Sequence, residues 1–129
     1  MKTSALTIYN ALSAYARMIN TMNISHITDL LSDQFQYKSQ LVLNDISCKA
    51  DYLIFINATL KAIADSEINV QAEMGQYGHL GDCVIVTRGN NISIPDVILA
   101  KVENNQLTLL EVIITPNIEQ IKHSGFFPS

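Results

Sequence analysis

The sequence predicts an α+β fold in which three N-terminal helices pack on a curved, mostly antiparallel sheet, together forming a cone. Two observations carry this. The N-terminal half holds stretches with apolar residues at helical spacing, interrupted by one alternating segment. After Asp65-Ser66 the period changes to two and stays there, with Gly and Asn marking the turns. A run of helices followed by a run of strands places the helices on one face of a sheet. A sheet curved over three helices leaves a cone able to hold a ligand.

Each element has its own signal. Thr3 or Ser4 is the expected cap of a first helix, whose stripe is Leu6, Ala11, Ala14, Tyr15, Met18 and Ile19. Asn20 to Asn23 break it. Ser25 then caps a short second helix, HITDLL, which Ser32-Asp33 ends. Residues 34 to 43 alternate as a half-buried strand, with Phe35, Tyr37, Ser39 and Leu41 on the inner face. A third helix spans 49–64, with Tyr52, Phe55, Ile56, Thr59, Leu60 and Ile63 as its stripe.

Beyond it, Ile68, Val70, Ala72 and Met74 face one way, and Glu67, Asn69, Gln71 and Glu73 the other. Gly75, Gly78 and Gly81 punctuate a connection. Strands are expected at 83–88, 97–103 and 107–115, with a turn at Gly89-Asn90-Asn91 and a two-residue hairpin at Asn104-Asn105. Pro116 stops the last strand. The four late strands read as an antiparallel meander.

Composition narrows the function. A chain of 129 residues suits one domain, 1–129. With 48% hydrophobic and 16% charged residues it is built to fold. Its formal net charge is -4 and its eight Lys and Arg do not cluster, which argues against nucleic acid. Cys48 and Cys83 are too few for a disulfide framework and suit thiols in a reducing cytosol. Asn10, Ser13 and Arg17 interrupt the apolar N-terminus, so it reads as an amphipathic helix rather than a signal peptide. No apolar run approaches the about 20 residues that span a membrane.

The order of elements resembles the nuclear transport factor 2-like superfamily, which includes ketosteroid isomerase, scytalone dehydratase and SnoaL-like polyketide cyclases. The stretch YARMINTMNISHITDLLSDQFQYKSQ (15 to 40) is similar to that family's opening of helix, Asn, short helix and strand. SCKADYLIFINATL (47 to 60) is similar to its entry into the third helix, with Cys48 in place of the usual Gly. The resemblance covers nearly the whole chain.

Against ketosteroid isomerase, Tyr15, five residues before Asn20, matches the oxyanion-hole tyrosine. The position of the Asp base falls on Ser39, that of the second oxyanion donor near Ile98, and that of an auxiliary Tyr on Ile56. A neutral hydroxyl cannot abstract a carbon-bound proton near neutral pH without activation. The known isomerase mechanism therefore does not carry over.

The expected site is a pocket lined by Tyr15, Met18, Ile19, Phe35, Tyr37, Ser39, Phe55, Ile56, Met74 and Ile98. Mostly apolar walls with a few hydroxyls suit a small apolar or aromatic molecule. An enzyme of the isomerase, dehydratase or cyclase type is the alternative, with Tyr15 polarising a carbonyl and Asp96 or His79 moving the proton. Asp96 lies in phase with Ile98 and Ala100, and Asp82 is near enough in sequence to orient His79. A third reading is a filled cone that acts through its dimer or a protein partner.

No cofactor is expected. The histidines lack local metal spacing, and no helix follows the glycines to receive a phosphate. On the last strand Leu110, Val112 and Ile114 form one apolar face, and Leu109, Glu111 and Ile113 the other. The second face is expected to meet another copy of the chain in a homodimer, with Glu111 paired to Lys101.

Overall fold

The computed structural model describes residues 5–40, 45–89 and 94–129. Helices α1 (Ile8–Thr21), α2 (Ser25–Thr28) and α3 (Lys49–Asp65) pack on a six-stranded sheet. Its strands are β1 (Leu31–Ser39), β2 (Val70–Tyr77), β3 (Asp82–Arg88), β4 (Asp96–Glu103), β5 (Gln106–Ile113) and β6 (Ile121–His123). Their order is β1-β5-β4-β3-β2-β6, parallel between β1 and β5 and antiparallel elsewhere. The expected α+β architecture and the meander β2 to β5 are both present.

Helix α1 starts later than its apolar stripe suggested. Thr7 is the N-cap, its hydroxyl accepting from Asn10 N at 3.0 Å, whereas Thr3 and Ser4 lie outside the described residues. Ala11, Leu12, Tyr15, Ala16, Met18 and Ile19 are its buried face. Met22, in the left-handed region at φ 56°, closes the helix by donating to Met18 O.

Asn20 does more than end a helix. Its amide nitrogen donates to Ala72 O at 2.8 Å and Pro128 O at 2.6 Å, and its carbonyl accepts from Ala72 N at 2.8 Å. One side chain thus ties α1 to β2 and to the C-terminal segment.

The second helix is a single turn, not the expected six residues. Leu30 N donates to Ile27 O, and β1 begins at Leu31, three residues before the expected strand start. Leu30 and Leu31 suit either a helix stripe or a strand, and pairing of Leu31 with Leu107 decides for the strand. The expected end of that strand, 41 to 43, lies outside the described residues. Helix α3 runs one residue beyond the expected span and buries Tyr52, Ile56 and Leu60 against the core.

Strand β2 corrects three expectations. It starts at Val70, so Ile68 is 55% exposed. It continues through Gly75, which is a strand residue and not part of a connection. A Cβ at Gly75 would lie 2.6 Å from Lys122 O, so the close approach of β6 requires the glycine. Glu73, assigned by alternation to an outer polar face, is buried. The C-terminal segment covers it, with His123 Nδ1 and Gly125 N each 2.7 Å from its carboxylate oxygens.

The hairpin between β4 and β5 has Asn104 at φ 51° and Asn105 at φ 65°, the positive pair that a type I′ turn requires. Gly89 has φ 70°, while Asn90 and Asn91 lie outside the described residues. The outer sheet face carries a small core of its own: Cys83, Ile85 and Val97, packed with Tyr77, Leu99, Ile113 and Ile121. Glu111 does not meet Lys101 in register. It pairs with Leu99, and the Lys101 ammonium lies 3.8 Å from Glu103. No helix among the described residues is long and apolar enough to cross a membrane.

Candidate functional site

The inner sheet face and the two long helices enclose a cavity of about 190 Å³. Helix α1 contributes Tyr15 and Ile19, four residues apart and therefore on one helical line. Helix α3 contributes Phe55, Ile56, Thr59 and Ile63. The sheet supplies Tyr37 and Ser39 from β1, Val70 from β2, Val86 and Arg88 from β3, Asp96 and Ile98 from β4, and Val112 from β5.

Strand register explains why these sheet residues converge. Ser39 pairs with Val112 and Val112 with Ile98, giving one row across β1, β5 and β4. Asp96 pairs with Val86. Arg88 is two residues beyond Val86 on the same face. Its Nη2 reaches Asp96 Oδ2 at 2.8 Å. The acid side chain is 8% exposed and the guanidinium side chain 51%. Asp96 is thus held nearly buried in the cavity wall, paired to an Arg88 that is half in water.

Aromatic rings build one side of the cavity. Tyr37 lies 5.1 Å from Phe55 and 5.2 Å from Tyr52, and Phe35 lies 4.6 Å from Tyr52, all tilted. Tyr52 is fully buried behind the lining residues, and its hydroxyl has no hydrogen-bond partner among the described residues.

Burial pushes the Tyr15 phenol well above its ordinary value, with Tyr37 and Asp96 adding to the rise and Arg88 opposing it. Tyr37 is also raised by burial, against a hydrogen bond with Ser39. Both phenols therefore stay protonated at neutral pH and act as hydrogen-bond donors, not bases. Among the described residues, Asp96 is the carboxylate that lines the cavity.

The expected lining residues separate into two sets. Tyr15, Ile19, Tyr37, Ser39, Phe55, Ile56 and Ile98 meet around this cavity, and Asp96 joins them. Met18, Phe35 and Met74 do not line it. Met18 sits beside the Tyr15–Ile19 line and packs into the core, Phe35 is taken up by the Tyr52 ring, and Met74 borders a separate cleft near the C-terminal segment. His79 is exposed on the one-turn 3-10 helix Gly78–Leu80, away from the cavity.

Arg88 was not foreseen. The alternation Val84, Val86, Arg88 places it on the inner face, but its ion pair depends on the β3–β4 register. Among the described residues no group of three or more His, Cys, Asp or Glu could hold a metal ion.

No protein-family model and no curated protein matches the sequence. Solved structures do. An NTF2-like protein of unknown function from Cytophaga hutchinsonii superposes with a TM-score of 0.61 at 17% identity, covering 90% of this chain and 96% of that one. A SnoaL-like protein of unknown function from Burkholderia thailandensis gives 0.62 at 10% identity, covering 87% and 99%. The epoxide hydrolase/cyclase-like enzyme SalBIII, of pyran ring formation in polyether salinomycin, gives 0.60 at 13% identity, covering 89% and 94%. The chain has the nuclear transport factor 2-like fold, as its order of elements suggested.

Proposed function

We propose that this is a cytosolic domain that binds a small apolar or aromatic molecule in the cavity between α1, α3 and the sheet. One observation carries the reading: a cavity of about 190 Å³ with mainly apolar walls gathers Tyr15, Tyr37, Ser39 and Asp96 around the same space. A dry cavity of roughly 150 Å³ already admits benzene, so this one suits a single ring with a substituent. The few polar groups would fix its orientation.

A catalytic variant of this reading is favoured by Asp96 in the same wall as Tyr15. The phenol would donate to a carbonyl or ether oxygen while the carboxylate receives a proton. SalBIII, an epoxide hydrolase/cyclase-like enzyme of pyran ring formation, and an LEH-like epoxide hydrolase of M. tuberculosis share this fold, which is compatible with such a reading. The half-buried Leu99, Leu109 and Ile113 on the outer sheet face support a homodimer through that face.

Native mass spectrometry of the purified protein tests both. The expected result is a dimer carrying a small organic mass, and Ile98→Phe, which fills the cavity, loses that mass. Retention of the same mass by Ile98→Phe would place the ligand elsewhere and sink the proposal.

A further inference from the structure

The geometry points to an uncharged, ring-sized alcohol or phenol as the cavity ligand, with its hydroxyl donating to Asp96. This rests on the cavity being a binding site. Arg88 meets Asp96 at one oxygen, Oδ2, at 2.8 Å, and Asp96 lines the cavity. A carboxylate set in a mostly apolar wall gains from a further donor brought to it through the cavity.

The electrostatics exclude an anion. Asp96 and Arg88 cancel in formal charge but not in field. The acid side chain is 8% exposed and directs its field into the apolar interior, whereas the guanidinium side chain is 51% exposed and is screened by water. At Tyr15 and at Tyr37 the influence of Asp96 exceeds the opposing influence of Arg88. A carboxylate ligand would enter a negative field and lose its hydration there.

An uncharged ligand with only acceptor atoms would meet the phenols and bring Asp96 no further donor. A hydroxyl is donor and acceptor in one atom. It can give its proton to the Asp96 hydrogen bond and take one from a phenol. The apolar walls and the Tyr37–Phe55 rings accommodate the ring that bears it.

Three probes of nearly equal shape separate the possibilities: toluene, benzyl alcohol and benzoate, titrated into the full chain and followed by the NMR shifts of residues lining the cavity. Benzyl alcohol is expected to bind about tenfold or more tightly than either of the others. Asp96→Asn is expected to shrink that advantage and to raise the affinity for benzoate relative to benzyl alcohol.

Toluene binding as tightly as the alcohol overturns the role of Asp96 and leaves the binding function standing. Benzoate binding most tightly assigns the site to Arg88 and overturns the charge argument. If none of the three shifts the lining residues, the cavity is not a binding site for molecules of this size and both readings fall. The comparison in the unsubstituted protein decides by itself, so it holds even if Asp96→Asn does not fold.

Discussion

Arg88 Nη2 and Asp96 Oδ2 meet at 2.8 Å from neighbouring strands, with the acid inside the cavity wall and its counter-ion half in water. Removing only the cation leaves a buried carboxylate without its partner, which costs more than removing both. Arg88→Met is therefore expected to destabilise the fold by about 2 kcal/mol, a figure kept low because the guanidinium is half exposed. Adding Asp96→Asn to Arg88→Met is expected to recover at least about 1 kcal/mol of that. Urea denaturation of the single and double variants gives the comparison, and a double variant that is no more stable than Arg88→Met contradicts it.

The Asn20 side chain makes three hydrogen bonds, two to Ala72 and one to Pro128. Asn20→Ala leaves the part-buried Ala72 N–H and two carbonyls unmet and is expected to cost about 2–3 kcal/mol. Asn20→Asp keeps an acceptor for Ala72 N–H but loses the donors, so it should fall between wild type and alanine. Amide hydrogen exchange reads the effect locally. If the Ala72 amide exchanges at the wild-type rate in Asn20→Ala, the clamp has no energetic weight.

Helices α1 and α3 were legible because each buries one face, so its period is written in its apolar residues. Strands β3 to β5 were legible as short apolar runs, covered on both faces and bounded by Gly and Asn turns. The Leu30-Leu31 pair was not, since both periods accept it. The cavity wall was legible at Tyr15, Ile19, Tyr37 and Ile98, where an inward face follows directly from period. Arg88 was not, because its partner depends on pairing Val86 with Asp96. Strand β6 is only three residues long and carries no period of its own. Burial of Glu73 follows from that strand, so it was missed with it.

Glu73 anchors the C-terminal segment through His123 and Gly125. Glu73→Ala should loosen that segment while the inner core stays intact. The Met74 amide reports it, because it donates to Phe126 O at 2.9 Å. Its exchange is expected to rise at least about tenfold, matching a local loss of about 1.4 kcal/mol or more. Gly75→Ala, whose Cβ would press on Lys122 O and the Ile85 side chain, should have the same local effect with a larger global cost, about 1–3 kcal/mol. Unchanged exchange at Met74 in both variants would mean that neither contact holds the segment.

Alkaline pH should weaken the fold through groups it keeps neutral. Burial, reinforced by Asp82 and Glu73, pushes the Cys83 thiol up to about 12 from an ordinary value of 9.0. Burial also raises Tyr15 and Tyr52 above 10.0. In each case the folded pKa is the higher one, so above the ordinary value the unfolded chain binds fewer protons than the folded one. Stability then falls with rising pH. The contribution is complete below about pH 9 and is lost from there toward about 12 for the thiol, with the phenols joining from about 10. Cys83→Ala removes the earliest step at the expense of about 1 kcal/mol of packing. Melting temperatures from pH 7 to 11 should begin to fall near pH 9 in the wild type and near pH 10 in Cys83→Ala, after correction for the constant offset. Parallel curves would show that the thiol does not titrate differently in the two states. A thiol reagent gives the kinetic counterpart: in the folded protein it should modify the half-exposed Cys48 and reach the buried Cys83 only on unfolding.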